Sequence, residues 1–407
     1  MSGTAASTKE LTAEGARVVT VAAGSIATAP APQEPYTSAA GIVAAAQAQA
    51  WETLNLAANI PNPDEDLEEG WLRANGLDLV SGGGIPDAAF ACGSVLNLTL
   101  KGAGLPALPP GIGRMAQLVE LDLSENGLTA LPDELGALVA LRRLDVSENR
   151  LAALPESIGA LTALVDLTAF RNELAALPDA IGALLALETL NVFNNKLKKV
   201  PPSLGELASL TDVNLGGNKI KTLPALGKWA KVQELRVHQN NLISQVLPSF
   251  APMAALRFLK MDMNRAANAL PELGAMPLLE HIECNNCSLE ALPGKEVFDA
   301  LPALKVLNAQ SNQLREVPAF SNPELDTLNV SSNPKVAVMP DMSGCPKLRI
   351  FFMQGCSIET LDAGNVNLPA LERCMVMGNK IADNDATVAA LRTICAANGG
   401  WLKNGTE

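Results

Sequence analysis

The 407-residue sequence predicts an α/β solenoid, with short parallel strands lining a concave face and turns or short helices covering the convex one. Three observations carry that expectation. A pattern of apolar residues returns about every 23 residues, thirteen times in a row. One Asn recurs at a fixed place in ten of the thirteen units. The core must be aliphatic, since 48% of the residues are apolar but only 3% aromatic. Stacked Leu columns fill such a core without rings, because each unit buries its apolar face only against its neighbours.

The units can be laid over one another directly. Leu118, Leu121, Leu123, Asn126 and Leu128 are followed by Leu131-Pro132 and Leu135-Gly136. Twenty-three residues on come Leu141, Leu144, Val146, Asn149 and Leu151, with Leu154-Pro155 and Ile158-Gly159. Counterparts begin at Val95, Leu164, Leu187, Leu210, Val232, Leu256, Leu279, Leu304, Leu325, Leu348 and Leu371. Positions are counted from the first residue of each unit. Positions 4 and 6 alternate as a strand does and point inward, while 3, 5 and 7 point out onto the concave face. The Asn at position 9 can satisfy backbone groups of the turn that leaves the strand. Ala103, Cys287 and Cys356 replace it in three units. Leu-Pro at positions 14 and 15 ends the turn. Apolar residues at 18 and 21 predict a short convex helix or 3₁₀ turn. Lengths vary: 22 residues from Leu210, 24 from Val232, 25 from Leu279 and 21 from Leu304. In the Leu325 unit the run Asn333 to Val336 displaces the apolar position by one.

These motifs resemble leucine-rich repeats. The Leu-Pro-x-x-Ile-Gly-x-Leu consensus is similar to the 23-residue intracellular Ras-group type, as in Scribble-like scaffolds and plant relatives. The resemblance covers residues 95 to 381. It implies a curved horseshoe whose concave surface binds a protein partner, with no enzymatic role and no cofactor.

The flanks divide into three parts. Residues 1–37, rich in Ala, Ser, Thr, Pro and Gly, predict a disordered or anchoring tail. Residues 38–94 predict a flank and cap, with a helix over Ser38 to Asn59 and a solvated acidic loop over Asp64 to Glu69. Such a cap would shield the open Leu columns of the first repeat. At the other end, residues 382–407 predict a cap helix, Thr387 to Ala397, and a tail. A structural part in a larger assembly, anchored through the N-terminal segment, is the alternative reading. An extracellular recognition ectodomain is the third.

Composition narrows the function further. The net charge is −13 and argues against a phosphate-backbone binder such as a nucleic-acid protein. No run approaches the roughly 18 apolar residues of a membrane span. Seven scattered cysteines in a chain of this size favour a reducing, cytoplasmic compartment over secretion. Glu10 and Glu14 stand where a signal peptide needs positive charge. Sequons at Asn97, Asn286, Asn329 and Asn404 are cheap in this kind of repeat. His281, Cys284 and Cys287 have metal-like spacing, but His281 points outward and the cysteines inward, so they cannot share a tetrahedral ion. His238 and His281 have no nucleophile with an orienting acid beside them.

The concave positions give three zones. The first is acidic: Glu120, Asp122, Glu125, Asp145, Glu148 and Asp166. The second carries Phe170 and Phe193 at position 7 of adjacent units, with Arg171 and Asn194 beside them and Arg236, His238 and Lys260 beyond. Exposed rings stacked beside Arg are what binding hot spots present. The last is apolar: Ile350, Phe352, Met375 and Met377, divided between partner surface and contact with the C-terminal cap. One rim is basic, with Lys196, Lys198, Lys199, Lys219, Lys221 and Arg265 at positions 10 to 13. That stripe could meet an acidic surface.

Overall fold

A computed structural model describes residues 53–55 and 96–404, apart from 266, 360, 362–367 and 382–385. The chain forms two compact units, Met1–Asn149 and Arg150–Glu407. In the first, strands β1 (Thr53–Asn55), β2 (Asn97–Thr99), β3 (Glu120–Asp122) and β4 (Arg143–Asp145) pair in parallel and in chain order. In the second, β5 (Asp166–Thr168), β6 (Thr189–Asn191), β7 (Asp212–Asn214), β8 (Glu234–Arg236) and β9 (Phe258–Lys260) do the same. They continue through β10 (His281–Glu283), β11 (Val306–Asn308), β12 (Thr327–Asn329), β13 (Ile350–Phe352), β14 (Arg373–Met375) and β15 (Trp401–Lys403).

Strands β2 to β14 occupy positions 3 to 5 of the thirteen units, so the register read from the Leu pattern holds to the last repeat. Inward residues such as Leu167, Leu190, Val213 and Leu235 are wholly buried. The displaced residue of the Leu325 unit, Val336, is buried too: its N–H closes a turn onto Asn333 O at 3.0 Å.

Each strand ends in a corner built by two residues. Position 8 is left-handed in all thirteen units, at φ between 51° and 69°. Gly102, Gly217, Gly355 and Gly378 adopt that conformation freely, whereas Glu125, Arg171, Gln239 and Met263 hold it at some cost. The position-9 Asn offsets that cost. Asn195 Nδ2 donates to Ala169 O (2.9 Å) in the preceding repeat and Val192 O (3.1 Å) in its own, while its Oδ1 accepts Leu174 N–H at 3.0 Å. One side chain thus satisfies backbone groups of two successive repeats, which a turn without regular pairing would leave buried and unmade. Cys287 supplies only part of this: its Sγ donates to Met261 O at 3.1 Å, the carbonyl an Asn amide would reach.

The convex side carries 3₁₀ turns, among them Asp133–Ala137, Glu156–Ala160 and Asp179–Ala183. Pro132, Pro155 and Pro178 cap them at φ −73°, −68° and −66°, values the ring sets in advance. The Gly of Ile-Gly is there for space: a β-carbon on Gly182 would lie 2.6 Å from the Ser203 β-carbon of the next repeat. The Leu279 repeat uses its extra residues for a short helix, α1 (Lys295–Asp299).

The ends depart from expectation in two places. Most of 1–94 lies outside the described residues, but Thr53–Asn55 is a strand rather than part of the expected helix. The exposed edge of β2 presents unpaired N–H and C=O groups, and an extended segment pairs with them where a helix cannot. At the C-terminus, helix α2 (Ala386–Ala397) buries Val388, Leu391 and Cys395. The stretch after it is a strand, β15, and not a loose tail: Trp401 N–H donates to Glu372 O at 2.8 Å.

Candidate functional site

The acidic zone of the first unit is engaged by its own chain. Asp122 Oδ1 accepts the Ser124 N–H (2.9 Å) and hydroxyl (2.6 Å), and Asp145 Oδ1 accepts the Ser147 N–H at 2.8 Å. Glu120 pairs with Arg143 at 2.9 Å and Glu125 with Lys101 at 3.0 Å. The Glu125 hydrogen bond and charge hold the Lys101 ammonium above its ordinary pKa. Position-5 carboxylates therefore brace the strand exit before they face any partner.

In the second unit the rings are arranged differently from a neighbouring Phe170–Phe193 stack. Phe170 and Phe193 are both half-buried, but the ring partner of Phe193 is His238, two repeats away, at 5.5 Å between centroids and 25° between planes. Gly216 makes this possible. It occupies position 7 between them, and a β-carbon there would lie 2.4 Å from His238 Cε1. The imidazole lies over the glycine and reaches Phe193. Burial, then the Lys260 and Arg236 charges, push the His238 pKa down, so the stacked ring is neutral at neutral pH. Arg171 and Asn194 sit in the left-handed corner, at φ 51° and 55°, with exposed side chains.

Arg236 and Lys260 do not present free positive charge. Arg236 Nη1 bonds Asp212 at 3.0 Å, Nη2 bonds Glu234, and the guanidinium lies 5.5 Å from the centroid of Phe258. Lys260 pairs with Asp262 at 3.2 Å and with Glu283. Burial disfavours its charge, but Glu283 and Asp262 outweigh that and leave its pKa raised. Four carboxylates thus surround two bases, although bases outnumber acids in the sequence over residues 187–265. Phe258 was missed there as well. It sits at position 3 of its repeat, the first residue of β9, 5.8 Å from the His281 ring. An aromatic at an outward strand position one repeat after an Arg was the available signal.

The last zone is partly covered from within. The Phe352 ring stacks on Trp401 of β15, at 6.2 Å and 17°, and Lys403 Nζ lies 5.4 Å from the same indole. Ile350, Met375 and Met377 stay half-buried beside them. On the basic rim Lys196 pairs with Glu173 at 2.7 Å, whereas Lys198, Lys199, Lys219 and Lys221 are exposed and have no counter-ion among the described residues.

The six cysteines among the described residues lie in the core. Cys284 and Cys287 are buried thiols; burial raises Cys284 well above its ordinary pKa and Cys287 to about 12. Among the described residues no group of three His, Cys, Asp or Glu is placed to hold a metal ion, and no helix is long and apolar enough to cross a membrane.

The leucine-rich repeat region family matches residues 90–398. The chain belongs to the leucine-rich repeat family. No curated protein matches this leucine-rich repeat chain. Solved structures with the same fold include a leucine-rich repeat protein of Leptospira interrogans, 24% identical with a TM-score of 0.64 over 78% of this chain and 86% of that one. The plant peptide hormone receptor RGFR1, in complex with RGF2, is 23% identical with a TM-score of 0.57, covering 73% of this chain and 54% of the receptor. The ectodomain of the Arabidopsis thaliana receptor kinase GASSHO1/SCHENGEN3 gives 22% and 0.62 over 82% of this chain and 48% of that one. The chain thus spans about half the length of either plant receptor structure.

Within this leucine-rich repeat surface, Gly216 controls the ring geometry. Gly216→Ala is expected to drive the imidazole off Phe193 while leaving the fold intact. The readout is the chemical shift of the His238 ring protons, which the Phe193 ring current displaces in the wild type. In the variant they move to free-histidine values; unchanged shifts would place His238 elsewhere.

Proposed function

We propose that this chain is a non-enzymatic protein-interaction module that engages its partner on the concave face of the second unit. The contact surface comprises Phe170, Phe193, His238, Phe258 and the flanking Arg171, Asn194, Arg236 and Lys260. Phe352, Met375 and Met377 extend it toward the C-terminal end. One observation carries the reading. Aromatic side chains stand half-buried at outward positions on the strands or two residues beyond them, although the Leu columns already complete the core. Half-desolvated rings beside a fixed Arg have the character of interface anchors. Arg236, held by Asp212, Glu234 and Phe258, is pre-organised and loses little freedom on binding.

The repeats fit the 23-residue intracellular type, a reading supported by their Leu-Pro-capped 3₁₀ turns. Six buried thiols without disulfide partners support a reducing compartment. The four unpaired rim lysines support a second contact, with an acidic surface of the partner.

The double variant Phe170→Ala/Phe193→Ala tests the site. Its rings are outside the Leu columns, so its urea midpoint should stay near that of the wild type. Partner capture should fall by at least ~tenfold, the loss of one hot spot. Capture equal to wild type would remove these rings from the site.

A further inference from the structure

A second surface lies at the opposite end of the strands from the basic rim, where each repeat enters the sheet. Position 2 of six consecutive repeats reads Arg257, Glu280, Lys305, Asp326, Arg349, Glu372. The charges alternate without exception. Within the chain they form two short ladders. Glu280 bridges Arg257 (2.9 Å) and Lys305 (2.7 Å), and Arg349 bridges Asp326 (3.2 Å) and Glu372 (3.0 Å). The Lys305 hydrogen bond lowers the pKa of Glu280, and the Arg349 hydrogen bond that of Glu372, so these carboxylates are ionised at neutral pH.

The alternation has a break at its midpoint. Lys305 and Asp326 are next neighbours in the row and carry opposite charge; the Asp326 N–H donates to Lys305 O at 2.8 Å, yet among the described contacts their side chains form no ion pair with each other. Around them opens a cavity of about 510 Å³, bordered by His281, Val306, Glu324, Lys347 and Arg349 as well. If lateral support of the stacked strands were the whole role of the row, the central pair would close like its neighbours.

Symmetry supplies a role. Three alternating pairs, read in the reverse direction, exchange every plus for a minus. The row is therefore complementary to itself under a two-fold rotation, the requirement of an isologous interface. The axis falls between Lys305 and Asp326, at the cavity. We infer that this rim is the self-association surface of the protein, with a second copy of the chain docking antiparallel on the first. Lys305 then meets the partner's Asp326, Asp326 meets the partner's Lys305, and the outer charges pair Arg257 with Glu372 and Glu280 with Arg349 across the axis. Six strands at a spacing of about 4.8 Å span only about 24 Å. So narrow a contact belongs to the weak, transient class, and charge fixes its register more than its strength.

Sedimentation of the full-length protein over a concentration series tests this. The wild type should rise from monomer to dimer mass, and should return to monomer when salt goes from about 50 mM to about 0.5 M. Lys305→Glu and Asp326→Lys each place like charges at both central contacts, and each alone should weaken the dimer at least ~tenfold. An equimolar mixture of the two variants restores opposite charges at both contacts and should dimerise as the wild type does. At one contact the glutamate introduced in the first variant faces the lysine introduced in the second. At the other, the first variant's native Asp326 faces the second's native Lys305. That recovery excludes misfolding as the cause of the single-variant loss. A wild type that stays monomeric, single variants that associate unchanged, or a mixture that fails to associate would each overturn the inference.

Discussion

Asn264→Ala is expected to cost about 3 kcal/mol or more of stability, measured as a fall in the urea midpoint, because it strips a wholly buried corner of its hydrogen bonds. Asn264 Nδ2 donates to Val237 O at 3.0 Å and Met261 O at 2.7 Å, and Oδ1 accepts Leu242 N–H at 3.1 Å. Alanine leaves an amide and two carbonyls of adjacent repeats out of water with no partner. The left-handed Met263 just before it, at φ 58°, then loses what offsets its strain. The chain carries its own comparison. Where Cys287 replaces Asn, the thiol still donates to Met261 O. Asn264→Cys should therefore lose less than Asn264→Ala. Equal stability of alanine variant and wild type would mean the Asn ladder is not what holds successive repeats together.

Trp229→Ala is expected to be at least as damaging, by about 3–5 kcal/mol. The Leu210 repeat is shorter than both of its neighbours and makes no convex 3₁₀ turn. The indole sits where other repeats put Leu, with no exposed surface, and its Nε1–H donates to Leu204 O at 3.2 Å. Alanine would open a cavity and leave that carbonyl unpaired. Trp229→Phe keeps most of the volume and loses the hydrogen bond, so it should cost about 1 kcal/mol beyond the small change in volume. A phenylalanine variant as unstable as the alanine one would show that the hydrogen bond, and not packing, dominates.

The repeat frame was legible in the sequence because it rests on side-chain chemistry repeated in register. Leu at positions 4 and 6, Asn at 9 and Leu-Pro at 14 and 15 each have one local job, and thirteen copies make the pattern unmistakable. The strand at Thr53–Asn55 and the strand at Trp401–Lys403 were not legible. Each is defined by the edge it covers, and neither carries the repeat motif. The concave site was legible only in part. Phe170, Phe193, Arg236, His238 and Lys260 could be placed on the outward face by counting. Which ring meets which could not, because the Phe193–His238 stack depends on the missing side chain of Gly216. Nor could the charge balance, since Arg236 is neutralised from the previous strand by Asp212 and from its own by Glu234. The left-handed corner had a signal that went unread: Gly at position 8 in four repeats and Asn in two more.

The central claim is that the partner lies against the concave rings, and photo-crosslinking tests it most directly. p-Benzoylphenylalanine in place of Phe170 puts a reactive ketone on that face with little change of shape. The same residue in place of Leu185, which is 64% exposed on the convex side, puts it on the opposite one. The account predicts a partner adduct from position 170 and none from 185. An adduct from 185 alone would contradict it.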